Sequence, residues 1–420
     1  MKNEIIDINN KIRLHYLKED KYKTNFISVF LTVPLKKETV TINALIPAVL
    51  RRGTSKLKTM KNIEIEMENM YGSTIDCGVD KSGDNHILKF YIESIKDEYV
   101  KENIFEKSIE KISQLILDPL MVDGILNKEY VEQEKNTLRT IIEDKINDKL
   151  SYSIQRCVEE MYKDENYGLY IYGDTKDLDN ISCEDVYNQY LEILSTAKID
   201  IFVICNKEKQ EVIDCVNKYF VSEKLLSRDN IYIPQKTILN SNNKKNIVNE
   251  KMDVVQGKLI MGLNVINNQL DLYDLTIYNA ILGVGCNSKI FKNVREKEHL
   301  VYSAGSSYIP AANMILIKAG IEINKYDKAV SVIKEQLDDI KNGNITQREF
   351  EDAKQVIISS YKTLIDEQAK TINYYMNQEI LSRNISIEEA IEKIQAVKLE
   401  DVINVSNYIN INTIYFLKNI

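Results

Sequence analysis

Arg295 and Tyr302 stand seven residues apart in "FKNVREKEHLVYSAGSSY", residues 291–308, and both side chains can donate to an oxygen that gains negative charge. The planar fork of arginine donates to a carbonyl oxygen without losing its own charge. A tyrosine hydroxyl is a neutral donor suited to an oxyanion. The plainer alternative is a surface arginine paired with Glu296 or Glu298 and a core tyrosine, one of 25 in the chain. The neighbouring elements decide whether the two can meet. In "ILGVGCNSKI" two glycines permit a tight turn, Ser288 is placed to cap a helix, and Ile290, Phe291 and Val294 fall on one helical face. After His299 the residues Leu300, Tyr302 and Ala304 alternate with Val301, Ser303 and Gly305 at the period of a strand. The pair therefore flanks a helix-to-strand junction, where two side chains can converge on one site.

Other chemistry is harder to assemble. "LGVGCNS" begins like a phosphate loop but completes neither G-x-G-x-x-G nor G-K-[ST], so it reads as a structural turn. The three histidines, His15, His86 and His299, are far apart and form no H-x-x-H or H-x-x-x-H pair, which excludes a zinc site built from histidines. His299 has no evident carboxylate or nucleophile partner and reads as structural or exposed. His86, just past a hairpin tip, reads as an exposed strand residue. Glu132, Glu134 and Glu143, interleaved with Lys135 and Lys145, read as a solvated helix face rather than a carboxylate metal site. The six cysteines show no C-x-x-C spacing and read as reduced and mostly buried.

Composition narrows the class. Apolar residues make up 44% and charged residues 28%, an ordinary globular balance. Lys plus Arg at 55 against Asp plus Glu at 63 gives a net charge of −8, which argues against a phosphate-binding surface and a nucleic-acid partner. The start, "MKNEIIDINNKIRLHYLKED", has no apolar stretch of signal-peptide length, and no run approaches the roughly 20 residues that span a bilayer. The expectation is a cytoplasmic protein with no membrane partner.

The positioning elements come in two sets. The polar stretch "ILNSNNKKNIVNEK", residues 238–251, has the composition of a connection and divides the chain near its middle. The tripeptide "EDV" at 184 recurs at 400, each time ahead of an apolar strand, and "NKEYVEQEKNTLRTIIED" and "TQREFEDAKQVIISSYKTLIDE" are long helices at matching places. Two copies of one unit of about 200 residues follow from this order. In the first, "NFISVFLTVPL" is a strand, "TINALIPAVLRRGT" a helix, and "GSTIDCGVDKSGDNHILKFYIES" a hairpin turning at "KSGDN"; helices occupy 99–117 and 128–162. The second repeats the order with "KLIMGLNVI", "LYDLTIYNAILG" and strands over 300–323. The fold class expected is α+β: two tandem homologous domains, each a mainly antiparallel sheet covered by helices. The expected boundaries are 1–221, a linker over 222–250, and 251–420.

Two α+β copies, a helix ending in "RRGT" and "VREKEHLVYS" in the second copy together resemble the pitrilysin/insulinase family of zinc peptidases, the inverzincins. That family carries H-x-x-E-H before a Gly-Thr in the first-half helix, and the matching stretch here is "ALIPAVLRRGT". Ala44 and Ala48 stand at the histidine positions and Pro47 at the general-base glutamate. If Glu134 matches the family's earlier helix glutamate, Ile141 occupies the third-ligand position. The resemblance thus implies no metal and no cofactor in this chain. The Arg/Tyr pair is retained as Arg295 and Tyr302, with His299 where active single-chain members usually have glycine. "KEDKYKT" and "PLKKETVTINALIPAVLRRGT" are similar to a zinc-less bacterial subgroup associated with 5-aminopentanol modification of elongation factor P. The implied function is that of a zinc-less subunit of a heterodimeric metallopeptidase. Arg295 and Tyr302 would act in trans on a peptide or unfolded segment at the zinc of a homologous partner. The alternative is a non-catalytic structural or regulatory partner, a pseudoenzyme.

Overall fold

The computed structural model describes residues 2–8, 11–221, 225, 228, 230–237, 245–267 and 269–420. The first half builds a sheet from β1 (Glu4–Ile8), β2 (Ile12–Lys18), β3 (Thr24–Pro34), β4 (Thr74–Ser82) and β5 (Asn85–Ile95); a two-stranded ribbon, β6 (Met121–Val122) with β7 (Ile125–Leu126), stands apart, and β8 (Lys198–Cys205) returns to the sheet. The order is β1-β2-β8-β3-β5-β4, antiparallel throughout except for the β2–β8 pair. Nearly every residue of β3 is buried, because Ile27, Val29, Leu31 and Val33 face the main core while Phe30 on the opposite side meets Phe202 edge-on at 5.5 Å. A strand covered on both faces needs the unbroken apolar run seen in "NFISVFLTV".

The helices of this half are α1 (Val40–Arg51), α2 (Met60–Asn69), α3 (Ile104–Leu117), α4 (Lys128–Asp144), α5 (Lys149–Met161), α6 (Thr175–Leu178), α7 (Cys183–Thr196) and α8 (Lys209–Phe220). Local chemistry starts several of them. Asn103 caps α3 by accepting from the Glu106 N–H, and Ser182 with Asp185 forms a capping box on α7. Residue 99, expected at the start of the α3 helix, lies instead in a short 3-10 turn over Asp97–Tyr99.

The second half repeats the plan with β9 (Asn246–Lys251), β10 (Gly257–Val265), α9 (Leu272–Gly283), β11 (Val301–Ile309), β12 (Met314–Ile321), α10 (Tyr326–Lys341), α11 (Gln347–Leu364), α12 (Gln368–Ile380), α13 (Ile387–Ala396), α14 (Leu399–Ser406) and β13 (Ile409–Lys418). Its strand order, β9-β13-β10-β12-β11, with only β9–β13 parallel, matches β2-β8-β3-β5-β4 strand for strand and direction for direction. The α+β class with mainly antiparallel sheets is therefore present in both halves.

The compact units do not follow the chain in order. One unit comprises residues 1–144, 169–236 and 367–384, the other 145–168, 237–366 and 385–420. The helix α5 of the first half packs on the second sheet, where Tyr162 Oη donates to the Ala312 carbonyl at 2.7 Å and Cys157, Val158 and Met161 join Ile260, Met314 and Leu316 in one core. Its counterpart α12 packs on the first sheet, where Gln368 Nε2 donates to the Thr24 carbonyl at 2.9 Å. Boundaries at 221 and 251 do not anticipate this exchange. The end of the expected linker runs into the edge strand β9, Asn246–Lys251. Asn85 also clamps part of that linker: its Oδ1 accepts from Gln235 N–H at 2.8 Å and Tyr232 Oη at 2.9 Å. Residues 238–244 lie outside the described residues.

Candidate functional site

The stretch Ile290–Lys297 is a π-helix rather than an α-helix, with Ile290 and Val294 buried beneath it. π-helical geometry is rare and frequent at functional sites. Ser288 does not cap it; the hydroxyl donates back to the Gly285 carbonyl at 2.8 Å. The chain leaves the helix through His299, whose φ of 50° is left-handed, the conformation glycine adopts most readily. The Leu300 N–H reaches back to the Val294 carbonyl at 3.0 Å and ties off the turn. Glycine's usual backbone shape at this position is thus kept by a histidine, whose ring is exposed.

The expected alternation of β11 breaks at its first residues. Val301 pairs with Ile321 and Ser303 with Gly320, so Tyr302 is the extra residue of a β-bulge. The bulge turns Tyr302 outward, 63% exposed, while Leu300 and Val301 are both buried. The Arg295 side chain is 42% exposed; its Nε lies 3.8 Å from Glu296 Oε1, and its guanidinium sits 4.6 Å from the Phe291 ring centroid. An exposed ion pair at that distance contributes little, so the guanidinium stays available. Arg295 and Tyr302 line one open cleft of about 310 Å³ together with Glu296, His299 and Glu322. Lys325 donates to the His299 carbonyl at 3.3 Å. Lys328 holds the Glu298 carboxyl below its usual range by a 2.5 Å contact.

In the first half, α1 and α4 carry the positions that the zinc motif would occupy. Ala44 is buried and Ile141 is 40% exposed. Pro47 sits inside α1 and lacks the N–H that an α-helix directs at residue 43; its carbonyl accepts from the Cys77 thiol at 3.1 Å. Burial pushes that thiol up to about 12. Ala44, Pro47, Ala48 and Ile141 present no side-chain nitrogen, oxygen or sulfur, so the residues do not fit a zinc ion. Among the described residues no group of three His, Cys, Asp or Glu side chains is placed to hold a metal. Glu134 does not lie on a solvated face. It is buried and pairs with Arg52, an opposite charge that compensates its burial.

His86 also departs from expectation. It is fully buried, because residues near Leu169 and Ile171 cover the hairpin end of β5, where Lys81 donates to the Leu169 carbonyl at 2.7 Å. All six cysteines are free thiols: Cys157, Cys183, Cys205 and Cys215 are buried, Cys77 is half-buried and Cys286 is exposed.

The chain is 30% identical over 422 residues to "Probable inactive metalloprotease YmfF" of Bacillus subtilis (strain 168), covering 99% of this chain and 98% of that one. The family model described as "Peptidase M16 inactive domain" matches residues 180–357. The chain belongs to the peptidase M16 family. A second relative, "Uncharacterized zinc protease YmxG" of the same organism, is 31% identical over 135 residues, 31% of this chain and 33% of that one. A solved structure described as a peptidase M16 inactive domain from Pseudomonas fluorescens superposes with a TM-score of 0.82 at 14% identity, covering 100% of this chain and 99% of that one. The M16 fold is thus shared along the whole length, and the pitrilysin-like resemblance read from "RRGT" and "VREKEHLVYS" holds. The chain is a homologue of an inactive M16 metalloprotease. Among its described residues no helix is long and apolar enough to cross a membrane.

Proposed function

We propose that this chain is the zinc-less subunit of a heterodimeric M16 peptidase complex, offering Arg295 and Tyr302 to a peptide held at a zinc-bearing partner. One observation carries the reading. Both donors face a single open cleft, with Arg295 3.8 Å from its nearest acid, while the zinc-motif positions hold Ala44, Pro47, Ala48 and Ile141. A fold that has lost every metal-binding side chain of the motif yet presents two convergent oxyanion donors suits a role beside another chain's metal. Similarity over a third of the length to a zinc protease supports a partner drawn from the same family. Six free thiols suit the cytoplasm.

The test is reconstitution with a zinc-bearing M16 homologue encoded in the same genome. The expected result is a stable complex containing zinc and cleaving an unfolded polypeptide. Arg295→Ala should leave assembly and metal content unchanged and lower turnover by on the order of 10² to 10³. Tyr302→Phe removes only a hydroxyl from an exposed ring and should lower turnover without loss of stability. Full activity in both variant complexes would overturn the assignment.

A second reading is a structural or regulatory partner that holds a client without assisting cleavage, within the elongation factor P modification that the resemblance implies. The description of the full-length relative as a probable inactive metalloprotease favours it. A complex that assembles but is indifferent to both substitutions would support this reading.

A further inference from the structure

The first unit contains a second concavity, of about 840 Å³, between β1, β2, the start of β8, the end of α12 and the extended segment 231–234. Ile5, Ile8, Ile231, Ile233 and Pro234 make its apolar wall. Its polar side carries four cations, Lys11, Arg13, Lys198 and Arg383, against two acids, Asp7 and Glu379. That local excess of positive charge stands in a chain whose net charge is −8.

The cations differ in how they are held. Arg13 and Lys198 both pair with Glu379, and Lys198 lies 3.6 Å from Asp200. Asp200, fully buried, accepts from His15 Nε2 at 3.0 Å. The Asn3 side-chain amide lies 3.0 Å from His15 Nδ1, and His15 stacks on Phe202 with centroids 3.9 Å apart. Lys198 is thereby fixed in place from behind. Arg383 instead forms no ion pair among the described residues. It lies close enough to Lys236 that burial and this like charge together lower the pKa of the Lys236 amine. A guanidinium at the mouth of an apolar cleft, with a second cation beside it and no acid to answer it, is electrostatically incomplete.

A concavity of this size, mainly apolar with a few fixed polar groups, has the make-up of a small-molecule site. We infer that this cleft binds a small amphipathic carboxylate, its apolar chain against the isoleucine wall and its carboxylate on the Arg383 fork, with Lys198 and Arg13 behind. A single carboxylate suits the local excess, since Glu379 already answers part of the charge on Arg13 and Lys198. Such a carboxylate could be a free acid or the terminus of a short apolar peptide; both present the same head and tail.

The chain has no tryptophan, so 11-dansylaminoundecanoate can be titrated by its own fluorescence without indole emission. One saturable site is expected. Arg383→Gln and Ile233→Asp should each weaken binding at least tenfold; Arg383 carries no ion pair and Ile233 is 73% exposed, so the fold should tolerate both, with unchanged circular dichroism as the check. Decanoate should displace the probe if the site takes free acids. A tetrapeptide ending in leucine should displace it, and its C-terminal amide should not, if the site takes chain termini. Absence of saturable binding, equal affinity in both variants, or displacement by decylamine as strong as by either acid would overturn the inference.

Discussion

His86 offers a prediction whose size follows from its surroundings. The imidazole is fully buried on β5. Burial, helped by the positive charge of Lys81 and opposed in part by the backbone of Ile171, pushes its pKa down to about 4 from the ordinary 6.5. Below the unfolded value the unfolded chain takes up a proton that the folded chain refuses until about pH 4, so protons drain the native state. Stability is unaffected above about pH 7, falls as pH drops through this window and levels off below it. The linkage relation gives a loss of about 2 kcal/mol at pH 5 relative to pH 8. Replacing His86 by Leu keeps an apolar side chain in the site and removes the proton, so the variant should lose about 2 kcal/mol less than wild type over that range. Urea unfolding at both pH values measures the difference, with hydrogen exchange in β3 and β5 assigning the transition to the first unit. Other titrating groups cancel in the comparison. An equal acid loss in both proteins would show that the ring is hydrated or already protonated in the native state, and the argument would fail.

Elemental analysis of the dialysed chain alone should find far less than one zinc per molecule, because the four motif positions offer no donor atoms; one tightly held zinc per chain would contradict this. Gly283→Ala should destabilise by roughly 1–3 kcal/mol, since a Cβ there would stand 2.5 Å from Ser306 Oγ and 2.6 Å from its backbone nitrogen; thermal unfolding checks it. Tyr162→Phe should cost about 1–2 kcal/mol by leaving the buried Ala312 carbonyl without its donor. Denaturant melts of the second unit would show that loss, and an unchanged midpoint would mean that the carbonyl finds another partner.

The sequence by itself determined a good deal. Apolar alternation and unbroken apolar runs placed β3, α1, β10 and α9, and the recurrence of "EDV" before a strand exposed the duplication that the two strand orders repeat. Those signals are local, because period and turn residues follow from the backbone's own geometry. The loss of donor atoms at Ala44, Pro47, Ala48 and Ile141 is also a matter of residue type alone. Tertiary structure decided the rest. An amphipathic helix reads the same whichever sheet it covers, so the exchange of α5 and α12 between the two units left no local mark. His86 and Glu134 looked solvent-facing because their covers, the segment around Ile171 and the guanidinium of Arg52, are distant in sequence. The π-turn at Ile290–Lys297 and the bulge at Tyr302 depend on where β11 meets β12, a pairing set by packing and not by spacing. They turn two residues seven apart onto one cleft, where a regular helix and strand would aim them differently.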